Sequence, residues 1–214
     1  MFLEKEQPMD NYTIFDFFYE LLFVNPAALL GAILITVLIC VLKLSWSRKI
    51  AILIPSLLLF YYLAISLDAI FGIATIGEFR RLISLGEGLI HPQMEWLPLA
   101  DGFSAGFIAN IFVFIPIGFL IPFMSRNFEK MGKTVLLGSG LSLAIEISQI
   151  FTLYRATDIN DLLTNTFGTL LGWCCFKMAT KLFHRQSPNA LEPQTRYLPI
   201  IVVAIAFLNV FFLF

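Results

Sequence analysis

The chain has 214 residues, of which 58% are hydrophobic and 14% charged, and its formal net charge is −1. Soluble domains are about 45–50% apolar with roughly a quarter of their residues charged, so this composition excludes an ordinary soluble domain. The near-neutral charge, with no arginine-rich run, argues against a nucleic-acid partner. We therefore predict an all-α integral membrane protein, because helices satisfy their own backbone hydrogen bonds in lipid.

Residues 1–25 are predicted to form an extracytoplasmic N-terminal segment. Acidic residues dominate it and Lys5 is its one basic residue, whereas a secretory signal begins with a basic region followed by an apolar one. We therefore expect no cleaved signal. The apolar run Ile14–Val24 is short for a span and contains Asp16 and Glu20, which predicts an interfacial helix leading into the first span.

Six later segments meet or approach the length of about 20 apolar residues that a membrane span needs. They are Pro26–Leu42, Ile50–Phe71, Phe103–Phe123, Thr134–Phe151, Ile159–Met178 and Tyr197–Phe214. We predict a polytopic transmembrane helical bundle of about six spans, with five as the alternative. Residues 26–72 hold the first two spans, residues 73–178 a core with three, and residues 179–214 a cytoplasmic linker and the last span.

The long connection at residues 72–102 is predicted to lie on the external side. Apolar residues such as Phe79, Leu82 and Ile83 stand between charged ones there. This pattern predicts a short helix that lies at the outer membrane interface.

The distribution of Lys and Arg predicts the orientation of the bundle, since these residues accumulate in cytoplasmic loops. Alternate connections between the six segments hold ten of them, and the opposite connections hold four. We therefore predict a multi-pass protein of the bacterial cytoplasmic membrane with both termini on the extracytoplasmic side.

Polar residues from four predicted spans reach similar depths on the external side. At a rise of about 1.5 Å per residue, Glu146 lies roughly 9 Å below the surface, and Asn110 and Asn165 lie about as deep. Asp68 is somewhat shallower. Ionisable groups at membrane depth are costly and usually functional, so the common depth predicts one polar pocket that opens outward.

Two helical faces contribute most of this predicted pocket. Asp158, Asp161 and Asn165 recur at i, i+3 and i+7, and Glu146 shares a face with Gln149. The candidate ligand-binding residues are Asn110, Glu146, Gln149, Arg155, Asp158, Asp161 and Asn165.

Structural roles compete with a binding role for several of these residues. An Asn in a membrane helix often only hydrogen-bonds a neighbouring helix. Asp158 or Thr157 can cap the helix that follows, with Asp161 near its positive end. Glu146 requires a partner at its depth, and Arg155 is the nearest one in sequence. The Cys and His residues show no ligand spacing, so we expect no metal site built from them and no cofactor.

Small residues and prolines predict how two of the spans pack. Gly168 and Gly172 form a GxxxG pair, which permits close contact between helices. Pro116 frees the Phe112 carbonyl and predicts a kink in the third span, and Pro122 is expected to mark the cytoplasmic end of that span.

Two ordered motifs resemble the signatures of VanZ-like membrane proteins. The first, N-x-x-x-F-x-P-x-G-F-L-x-P, is met by Asn110, Phe114, Pro116, Gly118, Phe119, Leu120 and Pro122. The second, E-x-x-Q followed by R-x-x-D-x-x-D-L-x-x-N-x-x-G, is met by Glu146, Gln149, Arg155, Asp158, Asp161, Leu162, Asn165 and Gly168. A divergent third motif, Trp96–Leu99, precedes them. The resemblance covers residues 80–173 and leaves out the first two spans and the last.

The resemblance implies a bacterial membrane protein connected with the cell envelope, since the family is named for an accessory protein that raises resistance to teicoplanin. It implies no particular reaction. The leading hypothesis is a non-enzymatic protein among membrane lipids whose outer-leaflet pocket binds a lipid-linked or amphipathic ligand. A glycopeptide antibiotic with an acyl chain and a cell-wall precursor with a polyprenyl chain both suit a polar pocket with apolar walls.

Three other functions stay open. An intramembrane enzyme acting on a lipid-linked substrate would use Glu146, Asp158 and Asp161 as catalytic candidates, with a carboxyl group as general acid or base. Asp158 and Asp161 would alternatively hold a divalent cation against a phosphate. A transporter is less well supported, because no inverted repeat is recognisable. A purely structural partner protein is the last alternative.

Overall fold

The computed structural model of the protein describes residues 26–90, 94–95, 105–153, 157–183 and 193–213. Its α-helices are α1 Pro26–Val41, α2 Trp46–Ile65, α3 Ile76–Leu85, α4 Ala105–Met124, α5 Met131–Gln149, α6 Ile159–Leu182 and α7 Leu198–Leu213. A π-helical turn, Ser66–Phe71, continues α2, and 3-10 turns occupy Arg126–Glu129 and Pro193–Thr195. The all-α helical bundle predicted from the sequence is confirmed. The interfacial helix predicted within residues 1–25 lies outside the described residues.

Every one of the six predicted apolar segments coincides with a helix, and the ends agree within a few residues. Three helical regions in the described part are long and apolar enough to cross a membrane by length and composition. They are Trp46–Leu85, Gly106–Met124 and Pro193–Phe212, whereas Pro26–Val41 is a shorter apolar helix. The crossings of the remaining segments and the orientation of the termini stay predictions.

The helices form two groups that meet where α2 contacts α4. One group consists of α4, α5 and α6, with its most extensive contact between α4 and α6. The other consists of α1, α2 and α7, so the first and the last described helices pack together. Large apolar side chains fill the interior of both groups, and others such as Leu34, Leu58 and Leu136 are exposed on the outside. An apolar exterior on a helical bundle is the surface that lipid would cover.

Glycine allows α4 and α6 to pack backbone against backbone. A Cβ atom added to Gly168 would lie 2.3 Å from the Ile111 carbonyl oxygen. One added to Gly172 would lie 2.1 Å from the Ile115 carbonyl oxygen, and Gly118 is equally crowded from the α4 side. Real Cβ atoms do not approach so closely, so the close contact predicted for the GxxxG pair is confirmed. It fixes the register of α4 on α6.

The proline-containing helix α4 stays helical through Pro116 and Pro122 and ends at Met124, two residues beyond the predicted end. Close to the turn that Pro116 interrupts, the Tyr62 hydroxyl of α2 donates a hydrogen bond of 2.7 Å to the Val113 carbonyl oxygen. Proline cannot donate to the carbonyl four residues earlier, which is that of Phe112, the neighbour of Val113. The bond ties the two helix groups together.

The predicted helix in the connection at residues 72–102 is confirmed as α3. Thr75 caps it by accepting a hydrogen bond from the Glu78 amide, and Gly86 ends it in the left-handed conformation with φ +70°. Further along, Met94–Glu95 pairs in parallel with Thr157–Asp158. The sequence analysis did not predict this two-residue pairing, which attaches the connection to the start of α6.

Candidate functional site

The candidate site begins with a contact between α4 and α6. The Asn110 side-chain amide donates a hydrogen bond of 2.6 Å to Oδ1 of Asp161, which lies in the first turn of α6. Both side chains are partly buried. The close glycine packing sets the register of α4 and α6, and so it also places these two side chains opposite each other. The sequence prediction that they converge is therefore met by direct contact.

Glu146 lies at the centre of the site on α5, with only 4% of its surface exposed. Its Oε2 atom accepts a hydrogen bond of 3.0 Å from the backbone amide of Asp158. Hydrogen bonds to a charged acceptor are roughly twice as strong as neutral ones, so this bond compensates part of the cost of burying the carboxylate. It also holds the start of α6 against α5.

Asp158 caps α6, and capping was one of the two roles predicted for this residue, the other being ligand binding. Its Oδ1 accepts from the Asn160 backbone amide at 2.8 Å, and its Oδ2 accepts from the Asn160 side-chain amide at 3.3 Å. The same residue pairs with Glu95 in the short parallel bridge. Asp158 is thus held by its side chain, its amide and its strand partner, and the connection before α4 comes to the same place.

The carboxyl groups of Glu146, Asp158 and Asp161 lie near one another, since Glu146 accepts from the Asp158 backbone amide and Asp161 follows in the first turn of α6. Like charges at this separation repel one another when the groups are ionised. The positive N-terminal end of α6 and the amide donors described above oppose this repulsion. Arg155 lies outside the described residues, three positions before Asp158 in the chain. In the described part of the chain, no three His, Cys, Asp or Glu side chains form a group suited to hold a metal ion.

Asn165 is buried deeper in the same group of helices. Its side-chain amide donates to the Ser142 hydroxyl of α5 at 2.9 Å. This is the hydrogen bond to a neighbouring helix that was the alternative to a binding role for this residue. The other side-chain atom, Oδ1, is buried and accepts no hydrogen bond from the described residues. Asn165 therefore has an unused acceptor rather than an unused donor.

Gln149 connects α5 with the end of α2. Its side-chain amide donates to the Phe71 carbonyl oxygen at 2.9 Å, and the neighbouring Ser148 hydroxyl accepts from the Ala74 amide at 2.9 Å. Like that of Asn165, the side-chain oxygen of Gln149 is buried without a partner in the described segments. Gln149 holds the turn after α2, and its predicted role in binding a ligand is not tested by these contacts.

Asp68, which we expected at a shallower depth, lies exposed on the π-helical turn. Within the described residues, no hydrogen bond joins it to the other predicted site residues. The polar cluster of Asn110, Glu146, Asp158, Asp161 and Asn165, which we call the acidic site, is therefore formed by α4, α5 and α6 together with Asp158 before α6.

Sequence reasoning did not single out several polar residues that the structure places between helices. Ser142 pairs with Asn165, and the hydroxyls of Ser139 and Thr166 lie 2.9 Å apart between α5 and α6. Asn209 of α7, far from the site, donates to the Ala27 carbonyl oxygen at 2.7 Å. Single Ser and Thr residues in apolar runs give no sign in the sequence of an interhelical contact. An Asn in the last apolar segment, by contrast, could have been recognised as a candidate for such a contact.

Comparisons with known proteins support the resemblance drawn from the motifs. Residues 80–183 match the profile of the VanZ/LLP1 family. Protein VanZ of Enterococcus faecium is 37% identical over 87 residues, which cover 38% of this chain and 50% of the relative. The chain thus spans about half the length of this curated relative. No solved structure matches the chain. The matched segment contains α4, α5 and α6 and therefore the whole acidic site.

Proposed function

We propose that this chain, which resembles the VanZ/LLP1 family over residues 80–183, is a membrane protein of the bacterial cell envelope that binds an amphipathic ligand at its acidic site. The acidic site is defined by Asn110, Glu146, Asp158, Asp161 and Asn165, and the proposal adds Gln149 and, from the sequence alone, Arg155. The ligand is a molecule with a polar head group and a long apolar chain, either a lipid-linked cell-wall precursor or a lipoglycopeptide of the teicoplanin type.

The observation that carries this proposal is the burial of the Glu146 carboxyl group close to those of Asp158 and Asp161. A fold needs no such arrangement for packing, because hydrophobic residues of similar volume often stabilise a protein as well or better. A group of carboxylates kept at this cost is best explained by a partner that they recognise. The site also lies wholly within the segment that matches the family.

The unused hydrogen-bond acceptors indicate what kind of head group fits. The side-chain oxygens of Asn165 and Gln149 are buried and take no donor from the described residues. Together with the carboxylates, they favour a ligand that donates several hydrogen bonds, as sugar hydroxyls and peptide amides do. In this proposal the Arg155 guanidinium pairs with an anionic group such as the phosphate of a lipid-linked precursor, since its planar donors suit phosphate oxygens.

The apolar chain of the ligand would lie outside the polar residues, along the exterior of the bundle. Leu163 and Phe167, on α6 beside the acidic site, are 55% and 49% exposed and supply a surface of that kind. The polar head and the apolar chain then each contact a matching part of the same helix. Such a division explains why the site is placed near the end of a span rather than in its middle.

The test compares Glu146→Gln and Asp161→Asn with a Glu87→Gln control, in a host that lacks its own copy of the gene. Glu87 is exposed after α3 and is outside the acidic site. We expect the two site variants to lose the increase in teicoplanin resistance and the binding of a radiolabelled lipid-linked precursor, at unchanged protein level. Unchanged resistance and unchanged binding in both site variants would contradict the proposal.

The second candidate function is catalysis on a lipid-linked substrate, and the juxtaposition of Glu146 with Asp158 and Asp161 favours it. Adjacent carboxylates differ in their tendency to hold a proton, which allows one to act as acid and another as base. Purified protein would then convert a labelled polyprenyl phosphate, and Asp161→Asn would abolish the conversion. Inert protein, both with and without Mg²⁺, would argue for binding alone.

A further inference from the structure

A second candidate site lies at the other end of α5. Lys133 precedes Glu146 by thirteen residues on this helix, which separates them by about 20 Å along the axis. There a groove of about 350 Å³ opens between the 3-10 turn at Arg126–Glu129, α5 and the start of α7. Its lining residues are Asn127, Phe128, Lys133, Leu136, Leu137, Gly140, Arg196, Tyr197 and Ile200.

The length of the groove is apolar and open. Leu136 and Gly140 are four residues apart, so they follow one another along the same face of α5. A Cβ atom added to Gly140 would meet nothing within 4 Å, which leaves a channel beside the helix. Leu136 is 73% exposed and Ile200, on the opposite wall, is 43% exposed. An alkyl chain lying in this channel would cover both side chains.

One part of the groove carries two positive charges. Lys133 donates a hydrogen bond to the Asn127 side chain, and the Arg196 guanidinium lies 5.2 Å from the centre of the Tyr197 ring. Among the described residues, neither cation forms an ion pair with a carboxylate. The Asn127 side chain and the Tyr197 ring are uncharged and so do not neutralise these cations. Lys133 and Arg196 together therefore attract an anion.

We propose that this groove binds an anionic phospholipid, with the head-group phosphate between Lys133 and Arg196 and an acyl chain along Leu136, Gly140 and Ile200. Charge complementarity and shape select this occupant together. A zwitterionic lipid would bring its own cation to the two basic residues, and a soluble anion would leave the apolar channel uncovered. Basic pockets between membrane helices bind anionic lipid head groups in this way.

The proposal does not depend on the function proposed for the acidic site. None of the groove residues belongs to the acidic site, and a variant in one does not remove a contact in the other. The lipid bound here would be a bilayer component that fills the space between α5 and the start of α7.

The experiment is native mass spectrometry of the full chain released from phosphatidylcholine vesicles that contain a minor fraction of phosphatidylglycerol. The measured quantity is the ratio of bound phosphatidylglycerol to bound phosphatidylcholine. We expect enrichment of phosphatidylglycerol on the unmodified protein. In the double variant Lys133→Gln, Arg196→Gln, we expect the enrichment ratio to fall by a factor of about five for each of the two charges removed.

Two matched controls separate this groove from general attraction to basic residues. Lys177→Gln with Lys181→Gln removes two positive charges from the same end of the bundle but outside the groove, and should keep the enrichment. Gly140→Leu fills the channel without changing charge and should reduce the binding of both lipids at this site. Gly132→Leu makes the same change where α5 has open space outside the groove, and should leave binding unchanged.

Three results would overturn the proposal. The first is equal loss of enrichment in both double charge variants, which would indicate a non-specific basic surface. The second is unchanged lipid binding in Gly140→Leu. The third is complete displacement of phosphatidylglycerol by soluble glycerol phosphate, which would indicate a site for free phosphate groups rather than for a lipid. Each variant is compared only after its thermal unfolding in detergent matches that of the unmodified chain.

Discussion

Asn110 on α4 and Asp161 on α6 are joined by a hydrogen bond of 2.6 Å at the point where the two helices approach the loop before α6. The backbone contacts of Gly168 and Gly172 lie further along the same interface. Because those contacts admit no sideways or lengthwise shift, the glycines determine which α4 side chain meets Asp161. The packing of glycines in the middle of the α4–α6 interface thus determines the contact between polar side chains at its end.

The first prediction concerns this interface. Gly172→Ala places a methyl group within 2.1 Å of the Ile115 carbonyl oxygen, so the helices must separate. We expect a loss of about 1–3 kcal/mol in the free energy of unfolding, the range for overpacked interiors. The measurement is thermal or denaturant unfolding in a mild detergent.

Gly140→Ala is the matched control, since an added methyl group there meets nothing within 4 Å. Replacing an unconstrained helical Gly by Ala should raise stability by roughly 0.5–1 kcal/mol. Equal effects of the two substitutions would show that the α4–α6 contact is looser than described.

The second prediction concerns the coupling between Asn110 and Asp161. A double-mutant cycle with Asn110→Leu and Asp161→Ala, which removes the accepting oxygen, should give a coupling energy of about 0.5–3 kcal/mol, the range for residues in direct contact. The cycle Asn110→Leu with Asp68→Ala provides the comparison, because Asp68 is exposed and forms no described hydrogen bond with Asn110. A coupling energy near zero in the first cycle would mean that the two side chains do not interact.

The third prediction separates the structural role of Asp158 from a binding role. Asp158→Asn keeps an oxygen that accepts from the Asn160 amide and keeps the backbone amide that Glu146 binds. Stability should therefore be nearly unchanged, whereas Asp158→Ala should lose about 1 kcal/mol with its cap. If the carboxylate also binds ligand, then Asp158→Asn will lower ligand binding at full stability. Full binding by the Asn variant would limit Asp158 to capping.

The fourth prediction concerns Asn209, which lies outside the family-matched segment. Asn209→Leu removes the hydrogen bond to the Ala27 carbonyl oxygen between α7 and α1. Such bonds are worth about 0.6–1.7 kcal/mol in membrane proteins, so we expect a loss of that size. Binding of the labelled lipid-linked precursor, measured at equal protein level, should not change. A selective loss of function at normal stability would mean that the α1, α2 and α7 group takes part in binding.

The helices of this protein were predictable from its sequence because long apolar runs have few alternatives in a membrane protein. The predicted start of the fifth span at Ile159 coincides with the observed start of α6. The capping role of Asp158 could also be predicted from the sequence, since an Asp directly before an apolar run commonly caps a helix. Counting depth predicted that Asn110 and Asn165 lie at similar depth, whereas the observed hydrogen bond of Asn110 is to Asp161, one turn earlier on α6.

Other features of the site had no local signal. The pairing of Met94–Glu95 with Thr157–Asp158 is only two residues long and depends on where both connections lie. The partner of Gln149 is the backbone carbonyl of Phe71 at the end of the π-helical turn, and because every residue type carries a carbonyl, the sequence gives no sign of this contact. The π-helical turn also leaves Asp68 exposed, although its depth had suggested a place beside the site. Depth along an axis is readable from sequence, whereas rotation about the axis depends on packing.

The central claim is that the acidic site holds a specific envelope ligand through Glu146. The most direct measurement is mass spectrometry of the lipids that co-purify with the full chain, comparing the unmodified protein with Glu146→Gln. We predict one lipid-linked envelope component that is enriched on the unmodified protein and absent from the variant. Identical lipid profiles from equally stable preparations of the two proteins would contradict the claim.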